Sequence, residues 1–250
     1  MRQASPGGSA GDFASYVEEC RSLVLEEIRA IAPHSRRSPF EAPADDAPLR
    51  GPTLRPALCV AGCRGLGGPL EGVLRTAAAL ELDPALALQP LLDNVELLGL
   101  GRALRILRLV ARSARESAEG RRTELEWARR AHSTPSDRDY VRMVYQRSVF
   151  ADFLAPLLSG AIAAGADPSA LASLARFATP LGVAFQIRDE LRALGDGGED
   201  AGGRRGRHSL ALVHALRARR AFEALARILA PSTHRAFLAA LVDLAVEADR

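Results

Sequence analysis

The chain has no lysine: all 33 of its basic residues are arginines. The codon bias of a GC-rich genome accounts for this, and it has a chemical consequence, because amine nucleophiles and lysine Schiff bases are excluded. Cysteine is scarce, with only Cys20, Cys59 and Cys63. An odd count argues against a disulfide framework. Cys59 and Cys63 stand four apart, but no histidine lies at ligand spacing to complete a zinc site, so they read as small buried side chains. No apolar run reaches the roughly 18 residues of a membrane span, and Met1 to Gly8 lacks the apolar core of a secretory signal. A cytoplasmic protein without a membrane span is the expectation. The net charge is only +3, too small to argue by itself for nucleic acid.

What is present is a globular composition, 48% hydrophobic and 25% charged, in a chain long enough to bury a sizeable core. After a Gly/Ser-rich tail, Phe13 to Ile31 is apolar at helical spacing, and Pro33 ends the helix. Residues 33–52 are rich in proline and charge and read as an irregular connection. The expected organisation is one domain overall. Residues 1–50 form a tail, a first helix and a connection, and residues 51–250 form a helical domain.

Further helices are expected over Leu54 to Cys63, Pro69 to Leu82, Ala85 to Leu98, Arg102 to Ala131, Ser136 to Ala164, Pro168 to Leu194, Ser209 to Ala230 and Ser232 to Ala248. No alternating strand pattern interrupts them, so the fold class is all-α. Gly65-Leu66-Gly67-Gly68 has the look of a phosphate loop, but no strand precedes it and Pro69 follows as a helix-start residue. Ser136 with Asp139 three residues on reads as a helix cap. Pro156 and Pro180 should kink or interrupt their helices.

One helix carries Arg102, Arg105, Arg108, Arg112 and Arg115 in a continuous stripe. It reads either as a solvated face opposite Leu104, Leu107, Val110 and Ala111, or as a surface for an acidic partner or diphosphates. Aromatic residues are not interleaved with it, which weakens a nucleic-acid reading.

Several segments resemble, in order, the trans-isoprenyl diphosphate synthases, geranylgeranyl diphosphate synthases above all. Gly51-Pro52-Thr53-Leu54-Arg55-Pro56 resembles the family's G-K-R-x-R-P helix start, and Ala118-Glu119-Gly120 with Glu124-Leu125-Glu126-Trp127 resembles E-G-Q-x-x-D-L-x-W. Asp139-Tyr140-Val141-Arg142-Met143 through Arg147-Ser148 resembles D-Y-x-x-M-x-x-x-K-T. Gly182-Val183-Ala184-Phe185-Gln186-Ile187-Arg188-Asp189-Glu190 resembles the helix of the second aspartate-rich motif, and Gly206-Arg207-His208-Ser209-Leu210 stands where G-K-R-T-L is usual. The resemblance implies an isoprenoid synthase-type helical bundle. Such proteins ionise an allylic diphosphate on Mg²⁺ held by carboxylates of two facing helices.

The acidic residues that this chemistry requires are thinned. In the first motif, Gln89-Pro90-Leu91-Leu92-Asp93-Asn94-Val95-Glu96, an ungapped match puts Leu91, Leu92 and Val95 at the aspartate positions, a shifted match makes Asp93-Asn94 the closing D-N of some family members, and either way the leading pair is gone. Asp93 and Glu96 remain as a reduced pair or as two solvated acids. In the second motif Asp189 and Glu190 remain, Ala193 takes the last position, and Arg192 is spaced to pair with Asp189. The resemblance further implies diphosphate contacts from Arg55, Arg147, Gln186 and Arg207. No catalytic residue is assigned, and none of the histidines has the partners of a general base.

Two functions follow. One is a non-catalytic subunit that dimerises with an active synthase, or with itself, and modulates activity or product length. The other is an unorthodox prenyltransferase or terpene-synthase-like enzyme, taking an allylic isoprenoid diphosphate and Mg²⁺ at Asp93, Glu96, Asp189 and Glu190.

Overall fold

Apolar residues at helical spacing dominate the sequence, and every described element is a helix. The computed structural model describes residues 10–31, 54–82, 84–129, 135–193 and 201–247, with the side chains of 12–31, 54–82, 87–129, 135–191 and 210–246. In chain order the elements are α1 (Ala10–Ile31), α2 (Arg55–Arg64), α3 (Glu71–Glu81), α4 (Pro84–Asp93), α5 (Val95–Leu98), α6 (Leu100–Arg129), α7 (Asp137–Val144), a π-helical segment (Tyr145–Leu154), α8 (Ala155–Ala163), α9 (Pro168–Ala193), α10 (Ala201–Leu225) and α11 (Thr233–Glu247). The all-α class holds. The connection over residues 33–52, with Gly51 to Thr53, and the side chains of Arg192, Arg207 and His208 lie outside the described residues.

Contacts sort the chain into two compact units. The first comprises Met1–Arg108, Pro156–Ala166 and Leu229–Ala240. Within it α1 buries Val17, Cys20, Val24 and Ile28, a 3.6-residue stripe that packs toward α2 and α3. Pro56 to Cys63 of α2 are all buried. Cβ atoms at Gly62 and Gly160 would collide with the Leu157 and Cys59 carbonyls, so α2 and α8 cross backbone to backbone. Cys59 and Cys63 sit beside that crossing, free and fully buried. Phe237 of α11 stacks on Phe13 and Tyr16 at 5.4 and 4.5 Å.

The expected helix over Ala85 to Leu98 is divided at Asn94. Its side-chain amide turns into α3, donating to Gly72 O at 3.1 Å and Thr76 Oγ1 at 2.7 Å. Gly67, with φ +77, makes the glycine-rich run a turn between α2 and α3.

The second unit comprises Leu109–Ala155, Asp167–Ile228 and Leu241–Arg250. Its core joins Met143, Val144 and Val149 to Val183, Ile187 and Leu191 of α9 and Ala211 of α10. Each large side chain buried here contributes about 1.5–3 kcal/mol. By length and composition α9 could cross a membrane over Pro168–Leu191, but Leu174, Phe177, Leu181, Val183 and Ile187 on it are core residues.

At Pro156 the α-helix is interrupted by a change of helix type: the ten residues from Tyr145 to Leu154 widen to a π-helix just before it. Proline lacks an N–H and crowds the carbonyl four residues back, and a wider turn relieves both. Pro180 lies inside a continuous α9.

On α6 the buried positions are Ala103, Ile106, Ser113 and Gly120. Leu104 is 38% exposed and Ala111 is exposed, while Leu107 and Val110 are half-buried. The packed face is therefore rotated from the one expected opposite the arginines.

Candidate functional site

Among the described residues a cluster of charged groups lies in the second unit, around Arg147 in the π segment. Two glycines bring its neighbours within reach. A Cβ at residue 120 would overlap the backbone of Arg147, and one at residue 182 would meet Val149 Cγ1 at 2.6 Å. The π segment is thereby held against α6 on one side and α9 on the other. Glu124, one turn beyond Gly120, and Glu190, two turns beyond Gly182, then converge on the same guanidinium.

Arg147 Nη2 donates to Glu190 Oε1 at 2.5 Å, and Nη1 donates to Glu124 Oε1. The other oxygen of Glu190 accepts from the Tyr140 hydroxyl. Burial works against the charge of Arg147, but Glu190 and Glu124 outweigh it and raise its pKa. The arginine side chain is 21% exposed and that of Glu190 30%, so water screens the network only in part. Beside it, Glu116 accepts from Arg112 Nε at 3.3 Å and Gln146 Nε2 at 3.2 Å. Arg112 also lies over the Phe150 ring at 4.8 Å.

Local sequence explains why α7 begins where it does. Ser136 is in an extended conformation, its Oγ accepts from the Asp139 N–H at 3.3 Å, and it donates to Asp139 Oδ2 at 2.6 Å. That fixes the first turn of the helix presenting Tyr140. An open cleft of about 350 Å³ lies between α6 and α7. Arg122 and Arg142 line it together with Glu119 and Asp139, so it presents no single sign of charge.

The expected site residues are distributed unevenly. Arg147 and Glu190, assigned to diphosphate and metal respectively, are brought together as an ion pair. Gln186 is half-buried on α9, one turn before Glu190, and Asp189 is exposed. Arg188 between them donates to Leu244 O and lies 5.8 Å from the Phe185 ring centre. In the first unit Arg55 opens α2 and donates to Leu80 O at 3.3 Å. Asp93 and Glu96 are both exposed, on separate short helices either side of Asn94. Asp93 Oδ1 accepts from Gln89 at 2.7 Å, and Leu91 is buried. Arg207 falls within α10, its side chain outside the described residues.

The fit to Mg²⁺ can be judged from these donors. Among the described residues no three His, Cys, Asp or Glu side chains gather as a metal site. Glu190 has both oxygens committed to Arg147 and Tyr140. Among the described residues these donors do not assemble into a Mg²⁺ cluster.

Sequence reading missed Tyr140 and Glu124 as partners of this network. Tyr140 is seven residues, two helical turns, before Arg147, a spacing that could have been read as one face.

The profile of the polyprenyl synthetase family matches residues 85–238, more than half the chain. No curated protein sequence matches it significantly. Among solved structures, a polyprenyl synthase from Caulobacter crescentus CB15, complexed with calcium and isoprenyl diphosphate, is 22% identical with a TM-score of 0.72. That match covers 96% of this chain and 99% of the other. A geranylgeranyl pyrophosphate synthetase from Pyrococcus horikoshii Ot3 is 19% identical with a TM-score of 0.70, over 95% and 98%. A polyprenyl synthetase from Streptomyces coelicolor A3(2) is 18% identical with a TM-score of 0.71, over 93% and 99%. At these identities the likeness is one of fold.

Proposed function

Because the chain belongs to the polyprenyl synthetase family, we propose that it serves isoprenoid biosynthesis as a non-catalytic subunit. It would bind an active synthase in the cytoplasm and alter that enzyme's rate or product length. One observation carries this reading: Arg147, at the position of the family's allylic-diphosphate lysine, is already held by Glu124 and Glu190. A diphosphate would have to displace both carboxylates from it. Mg²⁺ at Glu190 would have to displace Arg147 and Tyr140. The cation and the anion that a synthase offers its substrate and metal here neutralise one another. Loss of individual electrostatic contributors costs a reaction of this kind roughly 10²–10³ in rate, and several are absent.

A second reading, an unorthodox prenyltransferase or terpene-synthase-like enzyme, is favoured by the exposure of Asp189 on α9. It would take an allylic diphosphate at Arg55, Arg147, Gln186 and Arg207, with a reduced Mg²⁺ site at Asp93, Glu96, Asp189 and Glu190. Mixing the purified chain with an active polyprenyl synthase tests the subunit reading. A complex that shifts product length or rate is expected. No complex and unchanged products would remove its support.

A further inference from the structure

The cleft between α6 and α7 lies wholly within the second unit, and none of its lining residues belongs to the set of Glu124, Tyr140, Arg147 and Glu190. One face of α6 shapes it. That face carries no side chain at Gly120 and an indole at Trp127, two turns on. The glycine lets α6 meet the backbone of Arg147. The indole packs on the core of Met143 and Val144, and an open wedge of about 350 Å³ remains beside it. That is the lower end of the range of small-molecule sites, about 300–1,000 Å³.

Apolar and charged walls meet there. Trp127, Met143 and Pro135 supply the apolar side. Trp127 is half-buried and Met143 buried, so both are fixed in place before a ligand arrives, which lowers the cost of binding. An indole and a thioether favour a flat aromatic partner, through ring stacking and through sulfur contact.

The four charges of the cleft are not equivalent. Arg122 donates to Glu119 at 2.8 Å and to Glu126 at 3.0 Å, so Arg122 and Glu119 already neutralise one another. Asp139 accepts from the Ser136 hydroxyl at 2.6 Å and lies in the first turn of α7, where the helix dipole favours a carboxylate. Arg142, one turn along, is exposed and pairs with no carboxylate among the described residues. The unanswered charge in the cleft is positive.

We propose that this cleft binds a small aromatic organic acid, its flat body against Trp127 and Met143 and its carboxylate on Arg142. The guanidinium offers a carboxylate two parallel N–H donors. A neutral body of the same shape would gain the apolar contact alone, and an amine would meet Arg142 as a like charge. The proposal is independent of the subunit reading, because it draws on none of the residues that carry that reading.

The test uses naphthoate as the probe, with naphthamide as its neutral isostere and naphthylmethylamine as the cation, each titrated calorimetrically into the full chain. Naphthoate should bind about tenfold more tightly than naphthamide, the worth of one charge-assisted hydrogen bond, and the amine should bind least. Arg142→Gln should remove that preference, while Arg121→Gln, at an exposed arginine outside the cleft, should keep it. Circular dichroism checks that both variants are folded. Trp127 is the only tryptophan in the chain, so a single indole N–H resonance reports on the site, and naphthoate should shift it. Equal affinity for naphthoate and naphthamide, tightest binding of the amine, or no binding at all overturns the proposal. So does a preference for naphthoate that survives Arg142→Gln, or binding that leaves the Trp127 resonance in place, because the acid is then held elsewhere.

Discussion

Arg147 and Glu190 face each other at 2.5 Å across the contact between the π segment and α9. Each was expected from sequence to meet a different ligand, a diphosphate and a metal ion, and the fold gives them to one another. The second guanidinium contact, to Glu124, and the second carboxylate contact, from Tyr140, complete a closed set. A network of this kind stabilises the unit that holds it, so its members should behave as structural residues.

Arg147→Met is predicted to lower unfolding free energy by about 1–3 kcal/mol, since it leaves two part-buried carboxylates side by side. Glu190→Gln keeps an oxygen for Tyr140 and should cost less, about 1 kcal/mol. Urea denaturation followed by circular dichroism measures both. A more stable Arg147→Met protein would mean that the arginine is held in readiness for a ligand at the expense of the fold.

Gly120→Ala should be severe for its size. The new methyl overlaps the Arg147 backbone, and overpacking of this kind costs about 1–3 kcal/mol or more. Gly101, on the same helix with nothing within 4 Å of its Cβ position, is the control. Gly101→Ala should stabilise by about 0.5–1 kcal/mol through helix propensity. Equal effects of the two substitutions would contradict the close approach of α6 to the π segment.

Stability should fall on mild acidification. Burial, aided by Arg217 for His214 and by Arg64 for His234, lowers both histidine pKa values below the ordinary 6.5. The unfolded chain therefore takes up protons first. The stability that these neutral rings contribute is complete above pH 6.5 and is lost as pH falls through the folded values. The urea midpoint should drop as pH is lowered below about 6.5. His214→Gln/His234→Gln should show a shallower drop, and an unchanged slope would refute the assignment.

The cysteines should be silent in the folded protein. Burial pushes Cys20 up to about 12 and Cys63 up to about 11, and raises Cys59 well above its ordinary value. A thiol reagent at about pH 8 should label none of the three until denaturant is added, because the thiolate is the reactive form. Prompt labelling of Cys59 or Cys63 would contradict their place beside the crossing of α2 and α8.

Much of the fold was legible because helical periodicity and the ordered motifs agreed. The apolar spacing from Phe13 to Ile31 marked α1 as a helix, and Ser136 with Asp139 marked the start of α7. The π-helix was not legible: Pro156 announces an irregularity, but whether the chain kinks or widens depends on what packs around it. The packed face of α6 was misplaced because the helix has two apolar stripes, and periodicity alone does not say which one meets the core. The site was legible as a set of residue types and not as a network. Glu190 and Arg147 are 43 residues apart, and nothing local in sequence says that Gly120 and Gly182 bring three helices close enough to join them to Glu124.

The most direct test of the self-neutralised site is turnover. The purified chain, with Mg²⁺ and allylic diphosphates of several lengths, with and without isopentenyl diphosphate, is predicted to release no pyrophosphate above a heat-denatured control and to form no longer or cyclised product. Turnover that disappears in Asp189→Ala would contradict the account and establish the chain as an enzyme in its own right.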